Sequence, residues 1–510
     1  MNVTLQNVGP GYTFALRGAT PQAPLGPTVA MYDVASGVLT MTSVAVGNAS
    51  YDVTMRNIGN YTFVLATASV ARTWTWKSGA KTIEQPGVYG TLGVAAPGNV
   101  PGARDFSNTW SDSAGNFWLF GGEGRDVNGS LVYLNDLWKY GASTGLWTWV
   151  NGPNKGFSGG GVYGTQGVAA AGNVPGQRKY SVSWSSGAGN LWLFGGLGYD
   201  SRNVIGNLND LWMFAPALGE WTWIGGSKFT EQSGVYGTQG VAAMGNGPGA
   251  LQEPMSWTDS SGNFWLFGGQ GINSSGIPGI LNDLWEYSPS TGLWTWVRGS
   301  SGMNGSSSGL AHYGTQGVAA AANTPGGRQD AMTWADASGN LWLFGGRGLD
   351  VNGAAGPLND LWKFSPASGM WTWVSGANTK VTSGTYGTRS VAAPGNAPGA
   401  RVWSATWIDA DGNLWLFGGQ GYSATGASGY LADLWKFTPA TGMWTWVSGP
   451  STITGKGIYG TQGAASASNL PGGRSGSRAW VDSAGKLWLF GGMGIDSVGN
   501  GGHLNDLWTY

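Results

Sequence analysis

The sequence has no cysteine, only two histidines and few charged residues. Without cysteine the chain can form no disulfide, thiolate metal site or cysteine nucleophile. Charged residues make up 10% of the chain, against about 25% in an average soluble domain, and the net charge is −1. This balance argues against nucleic acid or an anionic membrane as a partner. No apolar run is long enough to cross a bilayer, so no transmembrane segment is predicted.

The first residues also lack the features of a signal peptide. Neither a basic n-region nor an apolar h-region follows Met1. Low charge, many aromatic residues and freedom from cysteine nevertheless suit a bacterial protein that is extracellular or at the cell surface. We expect that location, with no signal peptide seen in this sequence.

What the chain does have is glycine (93 residues), tryptophan (31 residues) and an internal repeat. Two of the strings that recur six times are Phe-Gly-Gly, which begins at Phe120, Phe194, Phe267, Phe344, Phe417 and Phe490, and Asp-Leu-Trp, which begins at Asp136, Asp210, Asp283, Asp360, Asp433 and Asp506. Trp-Thr-Trp and Tyr-Gly-Thr recur with them. A fixed period of this kind is the signature of a repeat architecture.

One unit of the repeat predicts four short antiparallel strands, at residues 104–111, 117–120, 137–140 and 147–150. Turn-forming residues at 112–116 and 143–145 separate them. We expect Gly121-Gly122 to end the second strand and a variable loop to follow as far as residue 134. Four antiparallel strands repeated radially make the blade of a propeller.

A strand ending in Gly-Gly, an aromatic third strand and a tryptophan in the fourth resemble the kelch repeat over residues 72–510. The units exceed the roughly 50 residues of a kelch unit because an insert, residues 88–102 in the first copy, precedes each first strand. They look like the long-repeat bacterial kelch proteins, which are similar to the central domain of galactose oxidase. We therefore predict an all-β fold: a six-bladed kelch-type β-propeller closed by an N-terminal strand, with a small N-terminal β-unit.

The last repeat lacks a fourth strand, whereas residues 72–77 read as a fourth strand without the other three. We expect this segment to complete the last blade, because an open ring would expose unpaired strand edges. The predicted domains are residues 1–70, with strands at 12–16, 38–41, 51–55 and 61–65, and residues 71–510. The blades are predicted at about 104–150, 178–224, 251–297, 328–374, 401–447 and 474–510 plus 72–77.

Most residues that recur in every unit are interpreted as framework. Thirty of the 31 tryptophans occupy five repeat positions, Trp403 being the exception, and are assigned to packing between blades rather than to sugar stacking. The Asp-Leu-Trp aspartates are expected to accept backbone N–H groups. The arginines after Pro-Gly are expected to pair across blades, although the third unit has Leu251 there. The turn at 409–413 lacks the distal acidic ligand of a calcium loop and is read as a hairpin turn.

The loop after Phe-Gly-Gly differs between units and, by the geometry of a strand meander, lies on the face that carries the long loops. It supplies the predicted ligand-binding residues Arg125, Asp126, Tyr199, Asp200, Arg202, Arg347, Asp350, Tyr422, Asp496 and His503. Aromatic, amide and charged side chains around a ring opening suit a polar ligand. The predicted partner is a glycan or a protein.

The resemblance to galactose oxidase implies a copper centre with a cysteine-linked tyrosine and two histidine ligands. This chain has no cysteine, and His312 and His503 stand at different repeat positions. We therefore predict no enzyme activity, no catalytic residue, no cofactor and no metal site, and expect a non-catalytic binding or scaffolding module. Two alternatives stay open: a structural subunit of a surface layer, filament or adhesin, and a glycan-active enzyme. The N-terminal unit is a candidate for joining copies of the chain into homo-oligomers by strand pairing.

Overall fold

The computed structural model describes residues 15–21, 29–33, 38–46, 49–56, 72–156, 159–302, 309–453, 455–482 and 484–510. Within these ranges all regular elements are β-strands, which confirms the predicted all-β class. No helix there could cross a membrane. Backbone contacts divide the chain into two units, Met1–Thr73 and Trp74–Tyr510.

The first unit contains one antiparallel sheet of four strands. They are β1 (Ala15–Pro21), β2 (Val29–Asp33), β3 (Val38–Val46) and β4 (Ala49–Arg56), in the order β1-β4-β3-β2. Two of the strands predicted here, at residues 38–41 and 51–55, lie inside β3 and β4. The predicted strand at 61–65 falls outside the described residues, and β2 was not predicted.

The second unit is a ring of six blades, defined here as residues 104–151, 178–225, 251–298, 328–375, 401–448, and 474–509 with 75–78. After β5 (Thr75–Ser78), the strands of blades 1 to 3 are β6 (Arg104–Asp105), β7 (Asn108–Ser111), β8 (Phe117–Arg125), β9 (Leu131–Gly141), β10 (Leu146–Asn151), β11 (Arg178–Lys179), β12 (Val182–Ser185), β13 (Leu191–Tyr199), β14 (Ile205–Ala215), β15 (Glu220–Gly225), β16 (Leu251–Gln252), β17 (Met255–Thr258), β18 (Phe264–Ile272), β19 (Pro278–Ser288) and β20 (Leu293–Arg298).

Blades 4 to 6 repeat this pattern with some strands divided. Their strands are β21 (Arg328–Gln329), β22 (Met332–Ala335), β23 (Leu341–Phe344), β24 (Arg347–Leu349), β25 (Ala355–Pro357), β26 (Leu361–Ser365), β27 (Met370–Ser375), β28 (Arg401–Val402), β29 (Ala405–Ile408), β30 (Leu414–Phe417), β31 (Gln420–Tyr422), β32 (Ser428–Tyr430), β33 (Leu434–Thr438), β34 (Met443–Ser448), β35 (Arg474–Ser475), β36 (Arg478–Val481), β37 (Leu487–Ile495) and β38 (Gly501–Thr509). Neighbouring strands within each blade pair antiparallel, as predicted.

Two local predictions about the strands were wrong. In blade 1 the Gly-Gly pair does not end the second strand: Gly121 and Gly122 have φ of 63° and 92°, the pairing of β8 with β9 slips by one residue there, and both strands then continue as a hairpin. A Cβ on Gly122 would lie 2.3 Å from the carbonyl oxygen of Asp105, so this bulge requires glycine. In blades 4 and 5 the second strand does end before the pair, and a separate short strand follows it. The predicted first strand is likewise divided, into β6 and β7, by Phe106 with φ of 50°.

The recurring tryptophans pack between blades, as predicted. Six buried clusters each combine residues from two adjacent blades, and together they account for all six seams of the ring. The indole N–H of Trp110 in blade 1 donates to the carbonyl of Trp192 in blade 2 at 3.0 Å. The corresponding bond from Trp480 in blade 6 returns to Trp110 at 3.1 Å. The blades therefore form a closed circle.

Closure of the last blade by an early segment is also confirmed. Strand β5 pairs with β38, with Trp76 opposite Trp508 and Thr75 opposite Thr509. Trp74 is 2% exposed and its ring centroid lies 5.0 Å from that of Tyr510. Residues 74–78 thus supply the fourth strand of blade 6.

Each Asp-Leu-Trp aspartate is the centre of a buried polar cluster, but its partners differ from those predicted. In blade 1 the Asp136 carboxylate accepts two bonds from the Arg104 guanidinium and one each from the Tyr89 hydroxyl and the Trp138 indole, all at 2.7 Å. The aspartate therefore holds side chains rather than backbone N–H groups. The arginine pairs within its own blade, not across blades.

Blade 3 shows the cluster without its arginine, because Leu251 occupies that position. Asp283 keeps its bonds to the Tyr236 hydroxyl, at 2.6 Å, and to the Trp285 indole, at 2.7 Å, but its Oδ1 atom is buried with no hydrogen-bond partner. Burial raises the pKa of Asp283 above its usual range. This blade provides an internal comparison for the ion pair.

We expect Asp433→Asn to lower the stability of the protein and Asp283→Asn not to lower it. In blade 5 the substitution leaves the fully buried Arg401 charge unpaired, which should cost about 3–5 kcal/mol. In blade 3 the amide keeps both hydrogen bonds and removes a buried carboxyl that has no cation, so the free energy of unfolding should stay level or rise. Urea unfolding measures both, and equal losses in the two variants would contradict the comparison.

Candidate functional site

One residue in each blade, at the break in its first strand, has left-handed backbone geometry. Five of the six are not glycine, although a Cβ disfavours this region. These residues, named here the channel ring, are Phe106 (φ 50°), Tyr180 (62°), Glu253 (58°), Asp330 (63°), Trp403 (58°) and Gly476 (65°). Backbone strain at equivalent positions of five blades directs attention to these residues, because such strain clusters at functional sites.

Backbone hydrogen bonds link channel-ring residues of neighbouring blades. The bonds run from the N–H of Phe106 to the carbonyl of Gly476 (3.2 Å), Gly476 to Trp403 (3.0 Å), Trp403 to Asp330 (3.3 Å), Asp330 to Glu253 (3.3 Å) and Glu253 to Tyr180 (2.9 Å). Left-handed geometry costs about 1–3 kcal/mol per non-glycine residue, and these bonds help to offset it. These five bonds fix the six ring residues relative to one another.

Aromatic side chains close one arc of the channel ring. The ring of Phe106 lies 4.4 Å from that of Tyr180 and 5.3 Å from that of Trp403, between centroids. Phe106 reaches across Gly476, where a Cβ would stand 2.8 Å from the phenyl ring. Glycine at the sixth position is what lets the three aromatic residues meet.

Two acidic side chains occupy the opposite arc. The Gln329 amide donates to the Glu253 carboxylate and, at 3.1 Å, to the Asp330 carboxylate. Burial raises the pKa of both carboxyl groups, and the charge of Asp330 raises that of Glu253 further. The pair therefore keeps protons to a higher pH than isolated carboxylic acids do, so it can donate hydrogen bonds as well as accept them.

A cavity of about 750 Å³ lies above the channel ring, with Tyr180, Glu253, Asp330 and Trp403 among its lining residues. Its wall adds two cations and a tyrosine, Lys179, Arg347 and Tyr422, and four side-chain amides, Gln252, Gln270, Gln329 and Gln420. Several of these belong to the hairpins that follow Phe-Gly-Gly. The same ring residues also line a smaller cavity of about 180 Å³ along the axis, whose other walls are rich in serine and threonine hydroxyls.

Two of the predicted ligand-binding residues, Arg347 and Tyr422, line the larger cavity together. Tyr199 does not line it, and its ring lies 6.3 Å from that of Tyr133. Arg125 pairs with Glu84 at 2.6 Å, and Arg202 with Asp200 at 2.8 Å. His503 is buried near Asp105 and Glu84.

The remaining predicted residues, Asp126, Asp200, Asp350 and Asp496, are buried in four separate hairpin turns. The Oδ1 atom of Asp126 accepts the N–H groups of Asn128 and Ser130 at 2.8 and 2.9 Å. The other three carboxylates accept equivalent bonds. These aspartates organise their own turns, and the fold does not bring them together.

The sequence analysis did not predict the channel ring. It singled out one ring residue, Trp403, but only as the tryptophan outside the five repeat positions. The same position carries Phe, Tyr, Glu, Asp, Trp and Gly in the six blades, two residues after a position that is arginine in five of them. Such variation inside a constant frame could have identified the site.

No protein-family model and no curated protein matches the chain. A solved structure described as "Structure of YjhT" is similar at 13% sequence identity and a TM-score of 0.44, over 82% of this chain and 95% of that one. The β-propeller fold follows from the strand pairing and the closed ring of blades in this chain.

Proposed function

We propose that the protein is a non-catalytic binding module that takes a glycan in the cavity above the channel ring. The observation that carries the proposal is the ring itself. Its backbone has the same left-handed geometry in the six blades, while its side chains form an aromatic arc facing an acidic one. A backbone that repeats in every blade, combined with ring side chains that differ from blade to blade, is typical of a rigid scaffold that presents a binding site.

The chemistry of the cavity suits a sugar. Apolar C–H faces of a saccharide can lie on Tyr and Trp rings, which also carry polar tips. Glutamine amides donate and accept hydrogen bonds at once, as sugar hydroxyls require. A volume near 750 Å³ is within the range of about 300–1,000 Å³ for small-ligand sites.

The cavity wall carries little net charge, which favours a ligand of low net charge. The charge of Lys179 is compensated by Glu123 at 2.7 Å, and the raised pKa values of Glu253 and Asp330 keep these carboxyl groups protonated to a higher pH than usual. Of the two cations in the wall, Arg347 is the more exposed. As part of the same proposal, we assign the protein to the bacterial exterior, where glycans are abundant.

A glycan-active enzyme is the second candidate, because of the same acidic pair. Two carboxyl groups of unequal pKa can serve as general acid and general base. Here they share one amide partner, whereas glycosidase carboxyls stand about 5 Å or more apart to leave room for the sugar. Binding without turnover therefore remains the first choice.

Trp403→Ala should weaken glycan binding at least about tenfold, which is a loss of about 1.4 kcal/mol. Binders are first identified on a glycan array and then titrated by calorimetry. Tyr422→Ala should also weaken binding. Tyr199→Ala is the matched control, because Tyr199 has the repeat position of Tyr422 but lies outside the cavity lining.

Wild-type protein that binds no glycan, or Tyr199→Ala and Tyr422→Ala variants that behave alike, would refute the proposal. Release of sugar by the wild type that is lost in both Glu253→Gln and Asp330→Asn would favour the enzyme instead. Near-ultraviolet circular dichroism establishes that each variant is folded.

The acidic pair also predicts a pH dependence of stability. The unfolded chain releases both protons near pH 4, whereas the folded pair holds protons to higher pH, so the free energy of unfolding should fall as pH rises from about 5 to 8. Glu253→Gln should flatten this fall. The exposed Glu231→Gln should not.

The comparison uses differences from the wild type, because Asp105 and Asp283, whose pKa values burial also raises, act in the same direction. The measurement is the urea midpoint at each pH. If the urea midpoints of the wild type and Glu253→Gln changed with pH in parallel, the raised pKa assigned to Glu253 would be contradicted.

A further inference from the structure

A second cluster of polar side chains lies at the seam between blades 6 and 1. Asp105 and Glu123 come from β6 and β8 of blade 1, and His503 comes from β38 of blade 6. One potential ligand atom from each of the three lies within 4.8 Å of the others. We propose that these residues bind a divalent transition metal ion, with Zn²⁺ preferred.

The histidine is oriented as a metal ligand. Its Nδ1 atom faces both oxygens of Glu84, at 3.2 and 3.3 Å, and Glu84 also accepts the backbone N–H of His503 at 3.0 Å. Glu84 also pairs with Arg125 at 2.6 Å, which holds its carboxylate in place. A carboxylate at Nδ1 favours the imidazole tautomer with its proton on Nδ1, which leaves the lone pair on Nε2, as in carboxylate–histidine–zinc triads.

Two unsatisfied atoms point to the same place. His503 and Asp105 are both 3% exposed, and His503 Nε2 and Asp105 Oδ1 have no hydrogen-bond partner. The two atoms lie 3.7 Å apart. Two ligands at about 2.1 Å in a tetrahedral zinc site are about 3.4 Å apart, so only a small contraction is needed. Buried polar atoms normally have a partner, and a cation between them would serve both.

The two carboxyl side chains of the cluster offer oxygen ligands to a cation. The carboxylates of Asp105 and Glu123 would both be stabilised by a bound cation. Lys179 engages one oxygen of Glu123, Oε2, at 2.7 Å.

The repeat does not require these residues. At the position of Asp105 the other blades have Lys179, Gln252, Gln329, Val402 and Ser475, and at the position of His503 they have Tyr133, Asn207, Ile280, Pro357 and Tyr430. The constellation therefore occurs at one of six otherwise similar seams. One imidazole and two carboxylates without thiolate suit Zn²⁺ better than Ca²⁺ or Mg²⁺, which prefer oxygen alone.

Zinc binding tests the proposal directly. Chelator-treated full-length protein is titrated with ZnCl₂ by calorimetry, and bound metal is counted by mass spectrometry. The wild type should bind one Zn²⁺ per chain. His503→Gln and Asp105→Asn should each lower the affinity by about 100-fold or more, and Glu84→Gln by about 10–100-fold.

His312→Gln is the matched control, because His312 is the other histidine of the chain and is exposed. It should bind zinc as the wild type does. Zinc X-ray absorption of the wild type needs no variant and should show one nitrogen with oxygen neighbours at about 2.0–2.1 Å.

Failure of the wild type to bind zinc, unchanged affinity in His503→Gln, or loss of binding in His312→Gln would overturn the proposal. Binding of Ca²⁺ in preference to Zn²⁺ would overturn the choice of metal. None of these results depends on glycan binding, so the two proposals stand or fall separately.

Discussion

The buried ion pair between the arginine that opens a blade and the aspartate of its third strand holds together five of the six blades, and in blade 3 the aspartate keeps the remaining contacts of the same cluster. In blade 1 the pair joins Arg104 to Asp136, and the same carboxylate holds the Tyr89 hydroxyl and the Trp138 indole. Three distant segments of the chain, the insert, the first strand and the third strand, are thereby fixed to one point. The geometry is directional and fully desolvated, so each of the five blades that has the pair is held in the same shape.

Other positions of the repeat are free to differ between blades. At the position of the channel ring the backbone is left-handed in all six blades, and the residues there line the cavity along the propeller axis. Because neighbouring carbonyls hold the turn, residues as different as Trp403 and Asp330 occupy equivalent places. Binding chemistry can therefore vary at the axis without cost to the packing between blades. The position of Asp105, one residue before the ring residue of blade 1, also differs between blades.

The sequence predicts the frame well because the frame repeats. Six copies of each motif fixed the fold class, the closure by residues near 75 and the packing role of the tryptophans. Features that depend on a single backbone angle were missed: the pattern around Gly121-Gly122 reads as a stop, and only the left-handed angles reveal a bulge. Of the predicted ligand-binding residues, Arg347 and Tyr422 line the cavity that we propose as the binding site. Asp126, Asp200, Asp350 and Asp496 lie buried in hairpin turns, and the sequence alone does not separate this role from ligand binding because Asp is common in both settings.

The pairing of β5 with β38 has a consequence for synthesis of the chain. About 430 residues separate the two strands, so β5 emerges from the ribosome long before its partner exists. Until residues 501–509 are made, Trp74 and Trp76 have no blade to enter, and the growing ring has an open edge that could join another nascent chain. Slow translation or premature release near the end would thus be more harmful here than in a protein whose blades each complete themselves in order.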